Sequence, residues 1–293
     1  MRVGVVILPN LRWADAAPVW QQAEALGAHT AWTYDHLTWR DQRDGPWVSA
    51  LPLLTAAAGV TRTMRLGTLV TSPNFRHPVT LAKEAMTIDD ISGGRLTLGI
   101  GGGGTGWDAT ALGQQPWTAA ERTRRFAEFV DHLDHLLREP ATDRLDGEWY
   151  QAVDARNLPG CVQRPRLPFA VAGGGPRALA VVARHGDIWV TLGDPARAAE
   201  LDAAACLDVA RTQAAALDRA CEQIGRDPAT LSRLYMQGAT REPWLESTEA
   251  FADLAGRYGE IGFTDLALHW PRAEPPYQAD PDVFEAIMAT VNA

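Results

Sequence analysis

Short apolar, β-branched runs alternate along this chain with longer segments of helical spacing. The runs at residues 3–8, 30–34, 65–71, 96–100, 169–172, 188–191, 232–236 and 264–269 read as strands covered on both faces. Helical patterns occupy residues 15–26, 49–60, 79–90, 119–137, 176–184, 195–224, 248–258 and 282–291. Eight such alternations predict the α/β class and a (β/α)8 TIM barrel, whose sites lie at the C-terminal ends of the strands. Asp15 and Asp194 suit N-cap positions, and Pro195 then suits the first helical position. The alanine-rich segment 195–224 reads as one long helix, or as two with a break near Cys206–Asp208. Residues 138–168 are long, proline-containing and irregular, which predicts an excursion across the barrel rather than a domain boundary. Residues 1–293 are therefore expected to form one domain.

The strand ends carry the candidate chemistry. The second strand ends in Tyr34-Asp35-His36. A carboxylate and an imidazole at a barrel mouth can hold and exchange a proton near neutral pH. The position equally suits a histidine that is only packed and hydrogen-bonded. After the fourth strand, six of the ten residues from Gly99 to Asp108 are glycine. No acidic strand end follows about 20 residues on, so this is not a dinucleotide fingerprint. Bare backbone at Gly101 and Gly102 suits the close approach of a ligand. The fifth strand ends Val171-Ala172-Gly173-Gly174-Gly175-Pro176-Arg177, and the sixth Thr191-Leu192-Gly193-Asp194. Free N–H groups at such turns form an anion site, to which Arg177 can add charge, although a purely structural glycine run fits the same letters. Among the 11 tryptophans, Trp13, Trp39, Trp47, Trp107 and Trp270 fall at or just after strand ends. They suit an aromatic substrate pocket, or simply the filling of loop cores.

Through these motifs the sequence resembles the bacterial luciferase-like flavin and deazaflavin oxidoreductases. The resemblance spans nearly the whole chain and is densest at Asp35–His36 and at residues 65–104 and 169–193. It implies a luciferase-like barrel in which His36 handles a proton and Asp35 contacts the cofactor. It also implies a cis peptide at Leu69–Val70, bulging behind an isoalloxazine-like ring. Gly101, Gly102, Val171 and Ala172 would contact the cofactor, while Gly173, Gly174 and Thr191 would receive its phosphate. The sugar-phosphate dehydrogenase branch carries a glutamate as second acid near Gly104; here Asp108 stands close by at a different offset. Trp39 resembles a supporting tryptophan of that branch but sits one residue closer. Arg76 and His77 are expected to serve loop structure or a substrate anion. The activity implied is hydride transfer between bound coenzyme F420 and a small organic substrate. The alternative is a two-component monooxygenase taking reduced FMN from a partner reductase and activating O2; a lesser alternative is a non-catalytic flavin-binding protein. Relatives commonly pair, which implies a homodimer.

Composition narrows the field. A formal charge of −9 argues against a nucleic-acid partner, which would need a basic stripe. No apolar run reaches about 18 residues, and the N-terminal apolar segment reads as the first strand rather than a leader. The three cysteines, Cys161, Cys206 and Cys221, lack metal-ligand spacing and imply a reduced, cytoplasmic protein without a metal. The first strand ends Leu8-Pro9-Asn10, so a metal-dependent barrel hydrolase lacks its usual ligand pair. Lys83 is the only lysine and falls in a helical pattern, which argues against Schiff-base chemistry.

Overall fold

The computed structural model describes every residue except Arg40, Asp41, Thr105, Pro276 and Ala293; Thr105, within the glycine-rich run, thus lies outside the described residues. In chain order the strands are β1 (Arg2–Val6), β2 (Thr30–Thr33), β3 (Arg65–Thr68), β4 (Leu96–Ile100), β5 (Ala141–Leu145), β6 (Ala152–Arg156), β7 (Phe169–Ala172), β8 (Ile188–Thr191), β9 (Ser232–Met236) and β10 (Asp265–His269). The helices are α1 (Trp13–Ala25), α2 (Ala50–Val60), α3 (Pro78–Ile91), α4 (Trp107–Ala111), α5 (Ala119–Arg138), α6 (Pro176–His185), α7 (Ala203–Glu222), α8 (Thr248–Glu260) and α9 (Pro281–Val291). Eight strands close a parallel barrel in the order β1-β10-β9-β8-β7-β4-β3-β2, as the alternation predicts.

Strand parity divides the apolar residues between two cores. Val6, Leu8, Trp32, Tyr34, Leu69, Ala170, Val190, Leu234, Met236 and Ala267 fill the barrel interior. Neighbours of the opposite parity, among them Val5, Ala31, Leu66, Leu98, Val171, Trp189 and Leu268, pack outward beneath the helices. Both faces of each barrel strand are covered, which accounts for the continuous apolar runs.

Helix starts differ from the sequence reading at several places. Asp15 lies inside the first turn of α1, whose N-cap is Arg12, and Asp194 caps no helix. The break in segment 195–224 comes before Cys206: the Asp202 carboxylate accepts from Ala205 N at 2.9 Å and starts α7 there. Thr118 and Glu121 form a reciprocal capping box on α5. The excursion contains the antiparallel hairpin β5–β6, and buried Arg166 fastens its end to the barrel. The Arg166 guanidinium donates to Asp134 Oδ1 (2.6 Å), Asp187 Oδ2 (2.7 Å) and His185 O (2.7 Å), and lies 3.6 Å over the Phe169 ring. Among the described residues no helix is long and apolar enough to cross a membrane.

Candidate active site

The chain leaves β2 into the barrel mouth as Tyr34-Asp35-His36. Asp108, in the first turn of α4, reaches back to this loop: its Oδ2 lies 2.8 Å from His36 Nδ1, and its Oδ1 accepts from Leu37 N at 2.7 Å. The carboxylate is buried, and a carboxylate on Nδ1 fixes the ring proton there. The Nε2 lone pair is left without a partner among the described residues. Trp39 leans on the imidazole with ring centroids 4.4 Å apart, and Trp47 Nε1 donates to His36 O at 2.9 Å. The two indoles stack at 6.5 Å, so one imidazole edge is held by a charge and one face by aromatic carbon. This arrangement orients a proton carrier.

Asp35 is engaged differently. Arg76 donates to both of its oxygens, Nε to Oδ2 at 3.1 Å and Nη2 to Oδ1 at 2.7 Å, while its guanidinium lies 4.8 Å over the Phe75 ring. This bidentate pair ties the loop after β2 to the loop after β3. His77 caps α3, its ring accepting from Val79 N at 3.2 Å. Both residues of the Arg76-His77 pair therefore serve loop structure.

The Leu69–Val70 peptide bond is cis. Pairing persists on either side of it: Leu69 N donates to Thr33 O, Thr71 N to Gly99 O, and Gly101 N to Thr71 O, each at 2.8 Å. A Cβ on Gly101 would lie 2.5 Å from Val70 Cγ2, so the bulge itself demands glycine there. A Cβ on Gly102 would only touch the Phe126 ring, and one on Gly104 would meet open space. Part of the glycine run thus answers to chain packing against chain, and part remains available to a ligand.

At the ends of β7 and β8 the predicted turns face one another. Gly173 N donates to Val190 O at 3.2 Å and is committed to the barrel. Gly174 and Gly175 precede α6, whose first turn has Gly175 as N-cap, no side-chain cap and Pro176 at its start. Their N–H groups are the open donors of this turn. Thr191 Oγ1 donates to Gln213 Oε1 at 2.5 Å and accepts from Gly193 N at 3.1 Å; Gln213 Nε2 closes the circuit on Gly193 O at 3.0 Å. A pocket of about 580 Å³ opens here, lined by Gly174 and by Gly193–Pro195, with Asp208, Thr212 and Gln213 of α7 opposite. Arg177 stands exposed at the start of α6, outside that lining. Behind the turn, the buried Glu242 carboxylate accepts from Tyr235 Oη (2.8 Å), Thr240 Oγ1 (2.8 Å) and Tyr258 Oη (2.7 Å). Burial, with the Glu242 charge beside it, pushes the Cys206 thiol up to about 12, which makes it an inert core residue. A second cavity, of about 360 Å³, lies at the opposite, N-terminal end of the barrel around the Arg2–Asp265 pair, away from every strand-end motif.

The end of β10 contains what the sequence reading missed. Trp270 packs edge-to-face on Phe284 of α9, ring centroids 5.3 Å apart, in the outer core rather than the mouth. By strand parity the inward residue is its neighbour His269, fully buried, with Nε2 2.9 Å from Tyr34 Oη and Tyr277 stacked on it at 3.3 Å. Burial, reinforced by the nearby Arg272 charge, lowers its pKa to about 3 and keeps the ring neutral. Trp13 and Trp107 each open a helix, and both are partly exposed; Arg43 lies 5.6 Å over the Trp107 ring. The structure thus gathers His36, Asp108, Trp39 and Trp47 with Tyr34 and His269, and leaves Trp270 outside. Val171 faces the outer core, whereas Ala172 packs toward the barrel interior.

Comparison with known proteins bears on this geometry. Residues 1–261 match the family described as luciferase-like monooxygenase. An F420-dependent glucose-6-phosphate dehydrogenase from Beutenbergia cavernae is 30% identical over 296 residues, covering 86% of this chain and 86% of its own. The 4-hydroxyprotoasukamycin monooxygenase of Streptomyces nodosus subsp. asukaensis is 33% identical over 189 residues, 61% of this chain and 48% of that protein. Among solved structures, an F420-dependent secondary alcohol dehydrogenase in complex with an F420-acetone adduct superposes with a TM-score of 0.79 at 16% identity, over 99% of this chain and 98% of that one. At that identity the likeness is one of fold.

Proposed function

This chain belongs to the luciferase-like monooxygenase family, and from that premise we propose that it is an oxidoreductase exchanging a hydride between bound coenzyme F420 and a small organic substrate. The observation that carries the reading is the His36–Asp108 pair, fixed at a strand end next to the cis Leu69–Val70 bulge. Support comes also from the 30% identical relative whose name includes F420 and whose match covers most of both chains.

The residues present fit such a cofactor. A cis bulge that a glycine must accommodate gives a ring something to lie against, with Ala172 beside it. The open N–H groups of Gly174 and Gly175, with the Thr191–Gln213–Gly193 circuit, give a phosphate a cradle of backbone donors. When bound, the deazaflavin supplies the hydride chemistry. The protein orients the substrate between Trp39, Trp47 and Tyr34. His36 Nε2 takes the hydroxyl proton when an alcohol is oxidised and returns it to the carbonyl oxygen in reverse. Asp108 keeps the imidazole in the needed tautomer and stabilises it when it is charged. Arg76 and Asp35 hold the two loops that carry these groups.

A second reading, a monooxygenase using reduced FMN and O2, is favoured by the monooxygenase relative that is 33% identical over part of the chain. The two separate in one assay. Loss of F420 absorbance with one of a panel of small alcohols, and no O2 uptake with reduced FMN, supports the first reading. O2 uptake with reduced FMN and an inert F420 transfers the assignment to the second.

A further inference from the structure

The end of β10 and the loop that follows it leave two polar atoms without partners. His269 Nδ1 is buried and makes no hydrogen bond, and neither does Arg272 Nη1, three residues on. Arg272 forms no ion pair with any described carboxylate, and its loop folds back so that Ala279 N donates to Arg272 O at 3.1 Å and Tyr277 covers the His269 ring. Buried polar groups are ordinarily satisfied, and each exception needs a reason.

Tyr34 Oη lies 2.9 Å from His269 Nε2, and the His269 backbone N–H donates to Gln237 Oε1. In the tautomer in which Tyr34 donates to Nε2, the neutral ring carries its hydrogen on Nδ1. Two donors, one of them cationic, then lack an acceptor. A water would accept from both but leave the guanidinium charge without a counter-ion. An oxyanion answers both needs. The surroundings select its carrier: Tyr34 stands edge-on to His269 at 5.8 Å, to Trp39 at 5.2 Å and to His36 at 6.4 Å, so an aromatic wall joins the orphaned donors to the proton carrier.

Building on the hydride-transfer reading, we propose that the substrate is a small apolar or aromatic molecule bearing an oxyanion, received by His269 Nδ1 and Arg272 Nη1 when Tyr277 swings off the His269 ring. His269 and Arg272 then fix which end of the substrate lies next to His36.

The test uses the apo-protein and simple probes, benzoate, acetate and benzamide, followed on the 15N-labelled imidazole of His269. Benzoate should shift the His269 Nδ1 resonance saturably, acetate should do so more weakly, and benzamide should leave it unmoved. Arg272→Gln should weaken benzoate at least tenfold; because the Arg272 side chain has no ion-pair partner among the described residues, this variant should keep the wild-type melting temperature, and Arg272→Lys should recover part of the affinity. No shift with either anion, or an equal affinity in Arg272→Gln, overturns the proposal and leaves a water at the site. The titration is repeated with saturating F420: retained benzoate binding places the oxyanion on the substrate, and competition would overturn that assignment in favour of an acidic group of the cofactor. Because the first arm needs no F420, failure of the cofactor reading and failure of this one are distinguishable.

Discussion

His36 Nδ1 and Asp108 Oδ2 lie 2.8 Å apart although their residues are 72 positions apart in the chain. One follows β2 and the other opens α4, and the barrel closes the distance. The same carboxylate also holds Leu37 N, so it fixes both the ring and the backbone carrying it.

Asp108→Asn removes the charge that stabilises a protonated His36 while keeping the shape of the side chain. Turnover should fall at least tenfold and His36→Ala should cost at least as much, within the range expected for general acid–base groups. The dissociation constant for F420, from tryptophan quenching, should stay within twofold in both. A loss of affinity without a loss of turnover would make the pair a binding element.

Thr191→Val deletes the hydroxyl that bridges Gln213 and Gly193 N. Loosening this turn should raise the F420 dissociation constant about fivefold, corresponding to about 1 kcal/mol. Turnover at saturating cofactor should be unchanged. An unaltered dissociation constant removes this turn from the phosphate site.

Two glycines of the same run, Gly101 and Gly104, should behave in opposite ways. Gly101→Ala drives a methyl into Val70, and overpacking of this kind costs about 1–3 kcal/mol. Its melting temperature should drop and F420 binding should weaken with it. Gly104→Ala meets open space and should leave the melting temperature as it was. Differential scanning calorimetry on both variants decides whether the bulge sets the requirement.

The barrel was legible in the sequence because every strand is covered on both faces and so reads as a short apolar run. His36 was legible because a titratable pair stood at a strand end. Its proximity to Asp108 was not, since α4 is a five-residue helix directly after the glycine-rich run and too short to show helical spacing. Aromatic content alone points to Trp270, but strand parity turns Trp270 outward and His269 inward, because a one-residue offset sends a side chain to the other face. Nor could letters alone show that Arg76 claims both oxygens of Asp35, or that Glu242 collects three hydroxyls, because those contacts join separate loops and helices.

His269 gives a pH dependence of known sign. Its folded pKa is depressed to about 3 by burial and then by Arg272, against an unfolded value of about 6.5. Between those values the unfolded chain binds the extra proton, so stability is lost as pH falls below about 6.5, with a slope of up to about 1.4 kcal/mol per pH unit. Urea unfolding at pH 7 and pH 5 should show a larger acid loss for the wild type than for His269→Gln. Equal losses would mean that His269 does not titrate with unfolding.

The central claim is that this barrel holds a deazaflavin beside His36, and a side-by-side titration of the apo-protein with F420 and FMN, each oxidised and reduced, tests it most directly. Tryptophan quenching should report tight, saturable binding of F420 and at least tenfold weaker binding of FMN. Preference for reduced FMN, or binding of neither, would contradict the account.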